Sequence, residues 1–108
     1  MDFNAYQELA QRTSNKKAGD MDKILNGVMG LNGEAGECID IIKKHFFQGH
    51  ELNKDELIDE LGDVLWYIAE TCEGLGVTME EVAIRNIGKL RKRYPHGFEV
   101  GRSINRNE

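Results

Sequence analysis

Two pairs of acids, Glu34-x-x-Glu37 and Glu60-x-x-Asp63, are set in stretches whose apolar residues recur at helical period. Residues three apart on a helix lie on neighbouring turns of one side, so each pair can aim several carboxylate oxygens at one point. The intervening residues 38–59 are enough for one helix to end, turn, and let the next run back antiparallel beside it, with the pairs facing each other. In the second stretch Leu57, Leu61, Val64, Leu65, Ile68 and Cys72 gather on one side and predict a core face. Glu60 and Asp63 sit just off its edge, in a stripe with Glu56 and Tyr67. In the first stretch Glu34 lies inside the apolar stripe itself, flanked by Leu31, Cys38 and Ile41, with Glu37 at the margin.

Burying an unpaired carboxylate is costly, and a lone one takes up a proton instead. Four converging acids repel unless a cation, or a set of Lys and Arg, neutralises them. Acids on helices are usually solvated faces. That explanation serves a single pair better than two pairs on core edges. No His or Cys stands beside them at ligand spacing, so an all-oxygen set points to Mg²⁺ or Mn²⁺ rather than zinc.

The 108 residues predict one domain, residues 1–108, small enough that oligomerisation would help its core. A formal net charge of −5 argues against nucleic acid or an anionic membrane as partner, though not against one nucleotide held through a metal. With no long apolar run and no leader pattern, the expected location is the cytoplasm. Cys38 and Cys72 fall on apolar faces and are expected as free thiols.

Along the chain, Asn4 with Gln7 suggests a capping box opening a first helix over residues 3–16. Asp20 is the expected cap of a second helix, over about 21–47. Within it Gly27, Gly30, Gly33 and Gly36 recur every third residue, each costing roughly 1 kcal/mol against Ala. They permit close backbone approach, or they mark an irregular turn around Asn32. Ile39, Ile41, Ile42, Phe46 and Phe47 widen the apolar surface beyond what a two-helix contact needs. Gln48 to His50 form a turn, with His45 and His50 expected to be surface or packing residues. Asn53 with Glu56 starts a third helix, to about Glu73. Trp66 is expected on its back, opposite the core among Asp59, Glu70 and Glu73, covered by another subunit or by the C-terminal tail, the former favoured. Thr78 with Glu81 starts a fourth helix to about Lys92, whose core side is read as Met79, Val82, Ala83, Ile87 and Leu90, with Asn86 among them. Lys89 and Arg93 continue a ridge from Asn86 suited to phosphates and a base edge. Pro95 stops that helix. From about residue 99, through Gly101, Ser103, Asn105 and Asn107, a flexible or docking tail is expected.

The double acidic motif, followed by Asn86-x-x-Lys89 and Arg93-Tyr94-Pro95, resembles the MazG-like nucleotide pyrophosphohydrolases of the all-α NTP pyrophosphohydrolase superfamily, from about Leu31 to Phe98. The resemblance implies an all-α fold, a four-helix bundle completed by oligomerisation as a homodimer or homotetramer. It implies Mg²⁺-dependent hydrolysis of a nucleoside triphosphate to the monophosphate and pyrophosphate, in a nucleotide-pool sanitation role. By the same likeness Glu34, Glu37, Glu60 and Asp63 are metal ligands and catalytic residues, while Asn86, Lys89, Arg93 and Tyr94 hold the nucleotide. Lys44 is a further candidate for the leaving pyrophosphate. Glu37 or Glu34 is the candidate base.

Two rivals stand beside this reading. A di-iron carboxylate bundle needs Glu-x-x-His pairs, and none occurs. A non-catalytic helical module binding nucleotides or a protein through the same acidic cleft is the alternative that sequence leaves open.

Overall fold

The computed structural model describes residues 1–106 as α1 (Phe3–Ala10), a 3₁₀ turn (Gln11–Thr13), α2 (Asp20–Phe47), α3 (Lys54–Leu75), α4 (Met79–Arg93) and α5 (Val100–Ile104). No strand occurs among the described residues, apart from one isolated bridge between Pro95 and Gly97. The protein is all-α, as the periodicity predicts.

Side-chain caps place most helix starts. Asn53 accepts from the Glu56 amide at 3.1 Å and Thr78 from the Glu81 amide at 3.1 Å, as anticipated. At α1 the cap is Asp2 rather than Asn4, its Oδ1 accepting from the Ala5 amide at 2.8 Å. Asp20 is the first residue of α2, not its cap; Gly19 holds the cap position and donates its amide to Asp22 Oδ2 at 3.2 Å. The α3 end is fixed by Gly76 at φ +71, where the Val77 amide reaches back to the Cys72 carbonyl at 3.0 Å.

α2 and α3 form an antiparallel hairpin. Contacts run in opposite order along the two helices: Gly74 lies against Asp20 and Ile24, Thr71 against Gly27, and Tyr67 against Gly30. A Cβ at residue 27 would stand 2.9 Å from the Thr71 backbone nitrogen, and one at residue 30 would overlap the Tyr67 ring. The first two glycines of the series therefore serve close approach. α2 is continuous through Asn32, which removes the irregular-turn alternative, and Gly33 and Gly36 meet nothing within 4 Å.

α1 is shorter than expected and packs on α3 and the start of α4. Buried Gln7 is spliced into the α3–α4 turn: its amide donates to the Val77 carbonyl at 3.0 Å and to Glu73 Oε1 at 3.1 Å, and its oxygen accepts from the Met79 amide at 2.7 Å. Ala10, Ala69, Cys72 and Met79 form the buried core, joined by Tyr6, Leu65, Trp66, Ile68 and Val77. Both cysteines are free.

The core face expected of α4 is only begun. Met79 is buried and Ala83 half-buried, but Val82, Asn86, Ile87 and Leu90 are exposed. The early turns of α4 have α1 and the end of α3 to pack on, and the later turns run beyond both. Leu61 is exposed too, as are Leu25, Val28, Met29, Ile39, Phe46 and Phe47. The radius of gyration, 17.0 Å, exceeds the roughly 13 Å of a compact chain this long. The expected C-terminal tail contains the short α5; Asn107 lies outside the described residues. No helix among the described residues is long and apolar enough to cross a membrane.

Candidate acidic site

The hairpin brings the two acidic pairs to one place. One carboxylate oxygen each from Glu34, Glu60 and Asp63 lie within 4.8 Å of one another. Glu34 and Glu60 are half-buried and Asp63 is exposed. Glu37, one turn beyond Glu34, is exposed and outside this cluster, though close enough for its charge to act on Glu60.

Glu60 is the strained member. Its Oε2 is shut off from solvent and has no hydrogen-bond partner. Its carboxyl is pushed up to about 7, first by a hydrogen bond with Glu34, then by burial, then by the charges of Glu34, Asp63 and Glu37. A protonated Glu60 can share its proton with Glu34, relieving the repulsion that ionised acids would meet.

Asp63 opens the site to a recess of about 280 Å³ lined by Glu34, Asp63, Trp66 and Tyr67. Trp66 and Tyr67 follow Asp63 by three and four residues, so they flank it on the next turn of α3. Their rings meet edge to face, centroids 5.1 Å apart at 86°. On another side, Tyr6 of α1 is near enough to Asp63 that the acid's charge, after burial, raises the phenol pKa.

Trp66 is covered, but not as the sequence suggested. The N-terminal segment lies over it, and its Nε1 donates to the Ala10 carbonyl at 3.0 Å and to Thr13 Oγ1 at 2.9 Å. One turn on, Glu70 is 2% exposed rather than solvated. It accepts from Ser14 Oγ at 2.9 Å and Gln11 Nε2 at 2.9 Å, and Lys23 stands 3.6 Å away. Burial alone would raise its pKa, yet those hydrogen bonds, the Lys23 charge and a hydrogen bond from Asn26 hold it below the usual carboxylate value. Lys23 also donates to Gln11 Oε1 at 2.6 Å and Ser14 Oγ at 3.0 Å, tying α2 to the same segment.

The basic ridge is elsewhere in the protomer. Lys89 and Arg93 line a separate groove of about 770 Å³ with Lys92 and, from the C-terminal segment, Glu99, Arg102 and Arg106. Asn86 is exposed, and Tyr94 is half-buried with its ring 5.3 Å from that of Phe98. None of the four lines the acidic recess. Lys44 does not line that recess either: it pairs with Asp40 at 3.2 Å and lines a small recess with His50 and Glu56 beside the α2–α3 turn. His45 Nδ1 lies 2.9 Å from the His50 carbonyl, a packing role as expected.

Beside this site, sequence reading misplaced Trp66 and Glu70. The available signal was the run Asp63, Trp66, Glu70, which follows one side of α3, together with Gln7, Gln11 and Ser14 as donors for a buried acid.

The chain is 40% identical over 114 aligned residues to "Gene 37 protein" of Mycobacterium phage L5, covering 98% of this chain and 100% of that protein. No solved structure matches it significantly. The family described as the MazG nucleotide pyrophosphohydrolase domain matches residues 22–98, a span holding all of α2 but its first two residues, α3, α4 and both acidic pairs. The chain belongs to the MazG nucleotide pyrophosphohydrolase domain family.

Proposed function

We propose that the protein is a Mg²⁺-dependent nucleoside triphosphate pyrophosphohydrolase, converting a (d)NTP to the (d)NMP and pyrophosphate in a nucleotide-pool sanitation role. The observation that carries this reading is the meeting of Glu34, Glu60 and Asp63 within 4.8 Å, with one Glu60 oxygen buried and unpartnered. Three acids so close, and an oxygen lacking any donor, suit a small hard cation taking oxygen ligands, Mg²⁺ or in its place Mn²⁺. Glu34, Glu60 and Asp63 would hold it, with Glu37 completing the set from the neighbouring turn.

A bound ion would supply positive charge that lets a polyphosphate enter an acidic recess, and would make a water there acidic enough to attack the α-phosphorus. The chain's residues do the rest. Glu60, whose carboxyl is held up first by its hydrogen bond with Glu34, then by burial and the neighbouring charges, would release its proton to solvent where a cation takes those oxygens instead. Glu37, exposed and outside the tight cluster, is the carboxylate not fully used as a ligand and accepts a proton from the attacking water, with Glu34 as the other candidate. Asn86, Lys89, Arg93 and Tyr94 hold the nucleotide and steady the leaving pyrophosphate. Since they line no part of the acidic recess within one protomer, this role calls for a homodimer or homotetramer in which one copy's α4 meets another's α2–α3 hairpin. The exposed apolar faces of α2 and α4 suit such an assembly.

Incubation with a panel of nucleoside triphosphates and Mg²⁺, with products resolved, tests the reading. Monophosphate plus pyrophosphate is expected. Diphosphate plus phosphate would mean another reaction, and nucleotide binding without product would favour a non-catalytic binding module.

A further inference from the structure

Residues 1–21 precede the span matched by the family, yet they make close polar contacts with the helix that carries Glu60 and Asp63. What they grip is Trp66, and Trp66 walls the recess into which Asp63 opens. We propose that the nucleobase of the substrate stacks on Trp66 in this recess, and that the N-terminal segment fixes the plane on which it stacks. The inference rests on the pyrophosphohydrolase reading and adds to it the place where the base is held.

Three observations converge. The first is shape and chemistry. The recess is continuous with the acidic cluster through Glu34 and Asp63, and its other two lining residues are aromatic. Acids repel phosphate oxygens but not a neutral heterocycle, so a nucleotide reaching the cluster with its phosphates can turn its base toward the rings. The second is the ring geometry. Trp66 and Tyr67 meet at 86°, forming a corner in which a flat ligand lying on one ring meets the other at right angles, and both arrangements are favourable for aromatic pairs.

The third is rigidity. The indole Nε1 is held by two acceptors, the Ala10 carbonyl and Thr13 Oγ1. Those residues are themselves held down by Gln11 and Ser14 on buried Glu70, and by Gln7 in the α3–α4 turn. Tyr67 is held from the other side, because residue 30 is a glycine and its ring can lie against the α2 backbone. A platform whose rings are already ordered loses little freedom when a base lands on it. Trp66 is thus the substrate-contacting residue, and Thr13 is a positioning residue acting through it.

The chain contains one tryptophan, so its fluorescence reports this site alone. The full-length protein with Mg²⁺ is titrated with an α,β-imido deoxynucleoside triphosphate, which resists hydrolysis, and separately with inorganic tripolyphosphate, with affinities taken from calorimetry. The nucleotide should quench Trp66, while tripolyphosphate should bind without quenching. Trp66→Leu should weaken the nucleotide about ten-fold, the scale of one base–aromatic stack, and leave tripolyphosphate within about two-fold. Trp66→Phe keeps a ring and should retain most of the affinity, which keeps the test decisive if Trp66→Leu fails to fold. Thr13→Val should shift the emission of Trp66 and weaken the nucleotide about two- to three-fold through loss of one hydrogen bond to the indole. Equal weakening of both ligands by Trp66→Leu, or nucleotide binding without quenching, would overturn the stacking role and leave the pyrophosphohydrolase reading standing. Failure of the parent protein to bind either ligand would remove that reading, and this inference with it.

Discussion

Gly30 on α2 and the ring of Tyr67 on α3 occupy adjoining space so closely that a methyl group at residue 30 would overlap the ring. This contact sets the spacing of the helix pair one turn away from Glu34 and Asp63. It also explains why a residue costly to a helix interior stands there.

Gly30→Ala should therefore destabilise the protein by about 1–3 kcal/mol, since overpacking outweighs the gain in helix propensity. Gly36→Ala, where nothing lies within 4 Å, should instead stabilise by up to about 1 kcal/mol. Denaturant unfolding of both variants checks this. A loss at Gly36 would reveal a neighbour packed there in the assembly.

The raised pKa of Glu60 makes metal-free stability depend on pH. Its folded value is about 7 against roughly 4.3 unfolded, so the folded state holds the proton more tightly. The stabilisation is full below the unfolded value and is lost as pH rises through the folded one. Thermal melts in chelator should show Tm falling between about pH 5 and pH 8. With Mg²⁺ the trend should weaken or reverse, because proton and cation compete for the same oxygens. A Tm in chelator that rises across this range would contradict the assignment.

Glu60→Gln should separate binding from folding. Above about pH 7, where Glu60 ionises in the metal-free protein, removing its charge should raise the Tm, while Mg²⁺-dependent stabilisation disappears and turnover falls on the order of 10²-fold or more. Loss of helical fold, with activity per folded molecule preserved, would mark Glu60 as structural.

Glu70→Ala should be the opposite case. It leaves Lys23 half-buried without its acid and strips Gln11 and Ser14 of their acceptor, at a cost of about 3 kcal/mol or more. Because the pKa of Glu70 is lowered, its stabilisation is present above the unfolded value and is lost as pH falls through the folded one. Acid unfolding of the parent, compared with Glu70→Ala, should show the difference between them shrinking as pH drops below about 4.3.

Much of this was legible in the residues. The helical period around Leu57 to Cys72, and the caps at Asn53 and Thr78, gave α3 and the start of α4 to within two residues, because caps and periodicity are local. The spacing of the acids indicated that they could meet, which depends only on an antiparallel turn. Trp66 and Glu70 were misread because they lie off the apolar stripe. What buries them is a segment more than fifty residues earlier, whose donors carry no periodic signature. The length of core along α4 was overstated for a related reason: an apolar face shows which side of a helix can be buried, not how far its neighbours in the chain reach along it.

The α2–α3 hairpin closes over a short turn, residues 48–53, whereas α1 must find α3 and the head of α4 across most of the sequence. Contacts between near neighbours form sooner than those needing a long loop to close. In refolding, the acidic cluster should thus assemble before the indole Nε1 is tied down. A stopped-flow emission change lagging the helical circular dichroism signal would time the arrival of the N-terminal segment as the last event.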